Sequence, residues 1–320
     1  MKKILTLILV GIFIFSCGKK ESSGKKEDTI KTETTIKKEK IAASIPPLKW
    51  IVQKIAGNDF EVISIVQPNM NHELFDPKPD DLKVLEDSKI FFTYNMLAFE
   101  ETVGKSLNNP DKVTNVLNGV DTALFLKGHH HDDDDHDHDH KNEKHGHKDE
   151  KNKKDDHNHD EDSLDPHVWF SLEMMPQVAK NIKDKLTEIY PDKKDVFEKN
   201  FNDFSVELNK FKDEISKKMA SKTKKSFMIY HPALDYFLKN YDIEEIEIES
   251  EGKEPSAQQI KEIINEAKEH GVTTILVQPQ FPKQSAEAIS KEIPGSKVME
   301  FNVDLENVFE NLNRFVDYLD

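Results

Sequence analysis

The chain has 320 residues and a formal net charge of −16, from 61 acidic and 45 basic residues. A nucleic-acid-binding surface needs clustered positive charge, so this balance argues against nucleic acid as a partner and favours a cation. Cys17 is the only cysteine, which rules out an intrachain disulfide. Once the strongly polar segments described below are set aside, roughly 245 residues remain, enough for two compact lobes.

Residues 1–17 predict a lipoprotein signal peptide. Lys2 and Lys3 precede an apolar run over residues 4–15, which is too short for a bilayer-spanning helix. The end of this segment, Ile-Phe-Ser-Cys, resembles a lipobox, so we expect Cys17 to carry the lipid and become the new N-terminus. Residues 18–40 are polar without hydrophobic periodicity and predict a disordered tether. We therefore expect a membrane-anchored lipoprotein on the periplasmic or cell-surface side of a membrane.

Residues 41–190 predict an N-terminal α/β lobe. Its short apolar runs, typical of buried strands, lie at 41–45, 61–66, 89–94 and 112–117. Helical patterns alternate with them, as at 48–57 and 96–107. Strands alternating with helices indicate a parallel sheet built from βαβ units.

Residues 128–163 form an insertion in this lobe that is rich in histidine and aspartate. From His129 to Asp162 it holds 14 acids and 6 lysines, a net charge of −8, and almost no apolar residues, so we predict disorder. Imidazole and carboxylate are ligands that zinc takes readily, and a merely solvated loop would not account for the histidines. We interpret the insertion as a low-affinity metal collector. Its histidines are His129, His130, His131, His136, His138, His140, His145, His147, His157 and His159.

Residues 191–222 predict a helix that links two lobes. Apolar side chains recur there with a helical period over 27 residues, which corresponds to a length of roughly 40 Å and suits a rigid strut. Strand and helix patterns then resume over residues 223–320, the predicted C-terminal α/β lobe. The expected fold is therefore α/β: two lobes, each with a central, mostly parallel sheet flanked by helices, joined by one long rigid helix.

Three histidines outside the insertion occupy loops between the predicted elements. His72 and His231 follow predicted strands, and His167 comes directly after the insertion. Ligands bind open α/β sheets at the carboxyl ends of their strands. Three imidazoles converging there, with water or a carboxylate in a fourth position, would form a tetrahedral zinc site. His270, at a predicted helix end before Gly271, is assigned a capping role.

Several segments resemble the zinc-binding solute-binding proteins of bacterial metal ABC importers, the ZnuA type. PNMNHELFDPKPDDL is similar to the family's Pro-x-x-x-His-x-x-(Glu/Asp)-Pro-x-Pro-x-Asp segment. DPHVWFS resembles its Asp-Pro-His-x-Trp segment, and YHPALDYFLKNY its His-x-Ala-x-x-Tyr-Phe segment. ASIPPLKWIVQKIAGN, EGKEPSAQQIKEII and TTILVQPQFPKQSAEAIS resemble its opening strand and helix, its Glu-Pro-Ser helix start and its late strand and helix. The resemblance runs from about residue 41 to residue 320.

This resemblance implies that His72, His167 and His231 bind zinc. Manganese-binding relatives usually carry a glutamate where this chain has His231, and imidazole favours zinc over that harder ion. Asn302 falls where relatives often place an aspartate, and a neutral amide is a poor zinc ligand. The fourth position therefore stays open, with water as the first choice and Asp304 as the second.

Acids near these histidines are candidates for orienting the rings through hydrogen bonds. Asp165 lies close to His167, and Asp235 comes four residues after His231. We interpret Asp165 as part of an Asp-Pro turn and Asp235 as a helix-surface acid.

The function that the resemblance implies is capture of Zn²⁺ as a transported ligand between two lobes and its delivery to the membrane permease of an ABC importer. We expect a monomer with no catalytic activity. Three neutral imidazoles would give high affinity at pH 7, falling below about pH 6 as protons compete.

Two other functions remain open from the residues alone. A secreted zinc-dependent hydrolase also uses three protein ligands and an open water position, although no His-Glu-x-x-His motif occurs. A zinc-storage lipoprotein or adhesin would use the lipid, the tether and the collector. It would not explain three separate histidines in loops of an ordered α/β body.

Overall fold

The computed structural model describes residues 38–128, 164–249 and 253–319. Residues from Lys38 onward form one compact unit. The predicted signal peptide with Cys17, nearly all of the tether and the histidines of the insertion lie outside the described residues. Within the described ranges, no helix is both long and apolar enough to cross a bilayer.

The first half of the unit contains a four-stranded parallel sheet. Its elements are β1 (Glu39–Ala43), α1 (Pro46–Ala56), β2 (Phe60–Ser64), α2 (Pro79–Asp87), β3 (Phe91–Thr93), α3 (Ala98–Ser106) and β4 (Val113–Asn115). The strand order is β2-β1-β3-β4, with Ile41 paired to Val62 and Ala42 to Phe91. The apolar residues of the central strands are fully buried, as expected for a parallel sheet covered on both faces.

The second half repeats this arrangement. Helices α4 (Met175–Ile189) and α5 (Lys194–Ala220) come first, and β5 (Ser226–Ile229), α6 (Asp235–Leu238), β6 (Glu244–Glu247), α7 (Ala257–Glu269), β7 (Thr274–Val277), α8 (Gln284–Glu292), β8 (Lys297–Glu300) and α9 (Val308–Tyr318) follow. The sheet order is β6-β5-β7-β8, again parallel throughout. In both sheets the first strand of the half lies between the second and the third.

The long helix α5 packs against both halves. Its buried face presents Phe204 and Phe211, which stack on Phe309 of α9 with ring centroids 6.1 and 4.2 Å apart. Trp50 of α1 meets Phe309 edge-on at 4.8 Å, so aromatic rings from three helices form one core. Such aromatic pairs add to the stabilisation that comes from buried area alone.

The predicted fold class is confirmed: two sheets with flanking helices are accompanied by one long helix of 27 residues. The exact limits of the two lobes stay a prediction, because the halves belong to a single compact unit. The folded body begins at Glu39 of β1, two residues before the predicted start of the N-terminal lobe.

Candidate metal centre

The structure brings His72, His167 and His231 together. His72 lies in the loop between β2 and α2, and His231 lies two residues after β5. His167 immediately precedes a short 3-10 turn, Val168–Phe170. The ring centroids of His72 and His167 are 5.3 Å apart, and those of His167 and His231 are 5.2 Å apart. All three residues are buried, with exposed fractions of 3%, 3% and 9%.

A carboxylate contacts the Nδ1 atom of each of these histidines. Asp304 lies 2.9 Å from His72, Asp165 2.8 Å from His167 and Glu249 2.6 Å from His231. A metal-binding histidine almost always donates its second ring N–H in this way, which fixes the ring orientation and leaves the lone pair of Nε2 for the metal. The arrangement therefore prepares all three rings to bind a cation through Nε2.

The three Nε2 atoms have an unusual environment. Each is buried and has no hydrogen-bond partner among the described residues. One unpaired polar atom in a protein interior is already unfavourable, and three on converging rings need a common cause. Converging ring nitrogens of this kind are what a site for a shared cation requires.

Glu73 contributes a carboxylate to the same cluster. Its Oε1 atom lies 3.4 Å from His231 Nε2, and its carboxylate and the ring nitrogens of His72 and His167 lie within 4.8 Å of one another. Asn71 Oδ1 accepts hydrogen bonds from the backbone N–H groups of Glu73 and Leu74 at 2.8 and 3.2 Å. This turn fixes the loop locally, and about one third of the Glu73 side chain stays exposed at the rim.

The pKa values of two of these groups are displaced from their ordinary range. Burial lowers the pKa of His231, but its hydrogen bond to Glu249 and the nearby carboxylate of Glu73 outweigh that effect and raise it to about 10. Burial raises the pKa of Glu73, but the nearby imidazoles, His231 foremost, lower it to about 2. In the absence of a cation, His231 and Glu73 therefore form an ion pair at neutral pH.

Comparison with known protein families shows to which family the chain belongs. The family described as "Zinc-uptake complex component A periplasmic", ZnuA, matches residues 41–318. The chain belongs to the ZnuA family. This assignment agrees with the family that the sequence motifs indicate, and it supports an extracytoplasmic location.

Individual relatives are distant in sequence. The chain is 27% identical over 263 residues to the zinc-binding protein AdcA of Streptococcus pyogenes, which covers 80% of this chain and 48% of AdcA. It is 26% identical over 284 residues to the high-affinity zinc uptake system protein ZnuA of Bacillus subtilis, covering 87% of this chain and 80% of that protein. The chain thus spans about half the length of the AdcA relatives it matches.

Solved ZnuA structures share the fold. A ZnuA crystal structure has a TM-score of 0.72 at 27% identity and covers 88% of this chain and 97% of its own. A zinc-bound ZnuA deletion mutant has a TM-score of 0.71 at 26% identity, with 88% and 96% covered. TroA of Treponema pallidum has the same fold at 16% identity, with a TM-score of 0.72 and 88% and 98% covered.

Aromatic side chains form the wall of this ZnuA-family site. The Trp169 ring lies 5.1 Å from the rings of both His72 and His167, and its Nε1 donates to the Val303 carbonyl at 3.2 Å. Phe281 stacks on His231 with centroids 5.7 Å apart. These apolar surfaces exclude water from the imidazoles and strengthen electrostatic interactions with a bound cation.

Asp304, the second choice for the fourth position, and Asn302, set aside as a poor ligand, both contact other groups. Asp304 contacts the Nδ1 atom of His72 and also accepts a hydrogen bond from Gln280 at 3.3 Å. Asn302 donates to the Pro68 carbonyl at 2.7 Å and accepts from the Asp304 backbone at 2.9 Å. His270 is the C-terminal cap of α7, as expected, and its Nδ1 pairs with Glu244.

Sequence reasoning missed Glu73 and Glu249. Glu249 comes two residues after β6, at the same end of the sheet as His231, so the signal that selected the histidines applied to it as well. The interpretation of Asp165 as only a turn residue was wrong, because its carboxylate accepts hydrogen bonds from both the backbone N–H and the Nδ1–H of His167. The carboxylate beside His231 is Glu249 and not Asp235.

Proposed function

We propose that this chain is the zinc-capturing component of an ABC importer, which holds Zn²⁺ between its two lobes and delivers it to a membrane permease. One observation carries the proposal: three buried imidazoles converge with carboxylates on their Nδ1 atoms and unpaired Nε2 atoms. Imidazoles oriented in this way bind zinc tightly through deprotonated Nε2 atoms, without chemical change to the ion.

The proposed ligands are the Nε2 atoms of His72, His167 and His231 and the carboxylate of Glu73. Three imidazoles and one carboxylate are a common tetrahedral donor set for zinc, and they suit it better than manganese. Glu73 is preferred to water because its oxygen already lies 3.4 Å from His231 Nε2. It is preferred to Asp304 because that carboxylate contacts the Nδ1 atom of His72.

This ligand set favours transport over hydrolysis. A catalytic zinc keeps one position for water, whereas four protein ligands close the coordination shell. A storage protein or adhesin would not need one built site with a carboxylate behind each imidazole. The capture of one ion at a defined place suits delivery to a partner.

Other parts of the chain are assigned roles from the sequence alone. Cys17 would carry the lipid, residues 18–40 would form the tether, and the insertion at 128–163 would raise the local zinc supply without being essential to the main site. The protein would act as a monomer at the membrane that holds its permease. The proposed lobes are residues 41–190 and 223–320, joined by a linking helix at 191–222.

The function is tested by zinc uptake in cells that lack this protein. The wild-type chain should restore accumulation of radioactive zinc under zinc limitation. A chain with His72, His167 and His231 changed to alanine should not restore it. His270→Ala is the matched control, because His270 lies at a helix end and pairs with Glu244. Uptake by the triple variant at the wild-type rate would refute the proposal.

The role of Glu73 is tested separately by cobalt spectroscopy and zinc competition. Glu73→Ala should weaken zinc binding by about 10-fold and alter the visible spectrum of the cobalt-substituted protein, because water replaces a charged ligand. Glu101→Gln is the control, since that side chain is exposed and pairs with Lys105 within α3. An unchanged spectrum and affinity would assign the fourth position to water.

A further inference from the structure

The hydroxyl of Tyr236 joins two segments that are distant in sequence. Tyr236 lies in α6 and is 1% exposed. Its hydroxyl donates to the Asp165 carbonyl at 2.9 Å and accepts from the Leu126 backbone N–H at 3.2 Å. Burial raises the pKa of Tyr236 to about 12, so the hydroxyl keeps its proton at neutral pH and remains a donor.

One of these two partners, Asp165, contacts the proposed zinc ligand His167. Asp165 Oδ1 accepts hydrogen bonds from the His167 backbone N–H at 2.9 Å and from His167 Nδ1 at 2.8 Å. The position of the Asp165 backbone therefore sets the orientation of the His167 ring. A hydrogen bond to the Asp165 carbonyl therefore affects the His167 ring indirectly, through the Asp165 side chain.

The other partner, Leu126, lies on the chain segment that pairs with Asp165. The Leu126 carbonyl accepts from the Asp165 backbone N–H at 3.0 Å, and Lys127 pairs with Leu164 in an antiparallel bridge. Tyr236 thus contacts both chain segments where they come together. Without its hydroxyl, the buried Asp165 carbonyl and the partly buried Leu126 N–H would each lose a hydrogen bond.

The Tyr236 hydroxyl also connects the two chain segments that carry His167 and His231. Tyr236 comes five residues after His231, in the half that contains the second sheet, whereas Asp165 precedes His167. The centroids of the His167 and His231 rings lie only 5.2 Å apart. A small displacement between these segments would therefore change the separation of two ligands of one ion.

We propose that Tyr236 is a positioning residue of the metal site, which holds the Asp165–His167 segment in register with His231. The proposal rests on the proposed function, because it assumes that both histidines bind zinc. The hydroxyl does not touch the ion. It limits the movement of one ligand relative to the other and so favours the tetrahedral arrangement.

The direct test compares Tyr236→Phe with Tyr241→Phe in the full-length protein. Phenylalanine keeps the buried ring and removes only the hydroxyl. Tyr241 is the matched control, because its hydroxyl pairs with the exposed Ser216 hydroxyl, away from the three histidines. We expect Tyr236→Phe to weaken binding of the first zinc equivalent by about 10-fold, the low end for an outer-shell partner, and Tyr241→Phe to leave it unchanged.

Cobalt absorption separates positioning from a general loss of stability. With one equivalent of Co²⁺, Tyr236→Phe should shift the visible bands or reduce their intensity, while the cobalt-free protein still unfolds in one cooperative transition, with a midpoint only several degrees below that of the wild type. Wild-type affinity and bands in Tyr236→Phe would overturn the proposal. So would an equal loss in Tyr241→Phe, or a Tyr236→Phe chain that does not fold, which would make the hydroxyl a requirement of the fold.

Double-mutant cycles identify the ligand through which Tyr236 acts. Asp165→Asn disturbs the orientation of His167, and Glu249→Gln disturbs that of His231. The effect of Tyr236→Phe should largely disappear in the Asp165→Asn background and persist in the Glu249→Gln background. Full additivity in both backgrounds would overturn the proposed route. If wild-type protein itself fails to bind zinc tightly, the proposed function fails before Tyr236 is tested.

Discussion

Asp304 Oδ1 lies 2.9 Å from His72 Nδ1, although the two residues are 232 positions apart in the chain. Both side chains are buried, with exposed fractions of 1% and 3%. A residue just before α9 therefore orients a ring in the loop after β2. The proposed metal site therefore depends on contacts between the two halves of the fold as much as on the proposed ligands themselves.

Removal of the Asp304 charge should weaken zinc binding. Asp304→Asn keeps the shape of the side chain but offers His72 Nδ1 a poorer acceptor, so we expect a 10- to 100-fold lower affinity, roughly the range for outer-shell partners. Competition with a chelator measures it. Asp242→Asn is the control, because that side chain is 96% exposed. Equal affinities for the two variants would show that Asp304 does not support His72.

Trp169 should report zinc binding by fluorescence. Its ring lies 5.1 Å from the rings of His72 and His167, whereas Trp50, the other tryptophan, packs against Phe204 and Phe309. We expect a zinc-dependent change in emission that Trp169→Phe abolishes and Trp50→Phe retains. A change in emission that persists in Trp169→Phe and disappears in Trp50→Phe would place the ion away from the three imidazoles.

Zinc binding should release a proton from His231. Because its pKa is raised to about 10, this ring is protonated at neutral pH without zinc, and Nε2 must lose its proton before it binds the ion. The affinity should therefore rise by about tenfold per pH unit between roughly pH 7 and pH 9. Calorimetry in buffers of different ionisation enthalpy counts the protons. A flat affinity over that range would contradict the assignment.

The same raised pKa affects the stability of the zinc-free protein. A histidine with a higher pKa in the folded state stabilises that state fully below its unfolded pKa, about 6.5. This contribution declines as the pH rises through about 10. Protons therefore compete with zinc for His231 at higher pH than the value of about 6 expected from the sequence. The reason is that Glu249 and Glu73 stabilise the charged ring.

Gln278 should stabilise the fold through the His231 backbone. Its Oε1 accepts from the His231 N–H at 3.3 Å and its Nε2 donates to the His231 carbonyl at 2.5 Å, in a fully buried environment. Gln278→Leu leaves both backbone groups unpaired, which should cost about 2–4 kcal/mol of unfolding free energy. Urea unfolding of the zinc-free protein measures this cost. Gln258→Leu, on the surface of α7, is the control. A similarly small loss of unfolding free energy in both variants would contradict this role of Gln278.

The sequence predicted the strands and their connections better than their limits. The third strand was expected over residues 89–94, and the structure confines β3 to Phe91–Thr93. Pro46 and Pro47 begin α1, two residues before the helical pattern predicted over residues 48–57. Proline fits the first turn of a helix because its fixed φ suits the helix and its missing N–H would have no helical partner there.

The proposed ligands were easier to identify from the sequence than the groups that contact them. His72, His167 and His231 stand out because a histidine in a loop beside a strand is uncommon and chemically specific. Glu249 lies in a run of acids, IEEIEIES, in which most positions suit a solvated surface. Only the packing shows which of these acids is buried against an imidazole. Glu73 likewise depends on a local turn at Asn71 that sequence spacing does not reveal.

The most direct test is zinc titration with bound-metal analysis of a protein that lacks residues 129–163. The deletion is practical because Lys127 and Leu164 already pair, so a short turn can join them. We expect this protein to keep one tightly bound zinc and to lose it when His72, His167 and His231 are changed to alanine. If tight binding instead disappears with the deleted residues and ignores the three histidines, the chain collects or stores zinc and the proposed site is wrong.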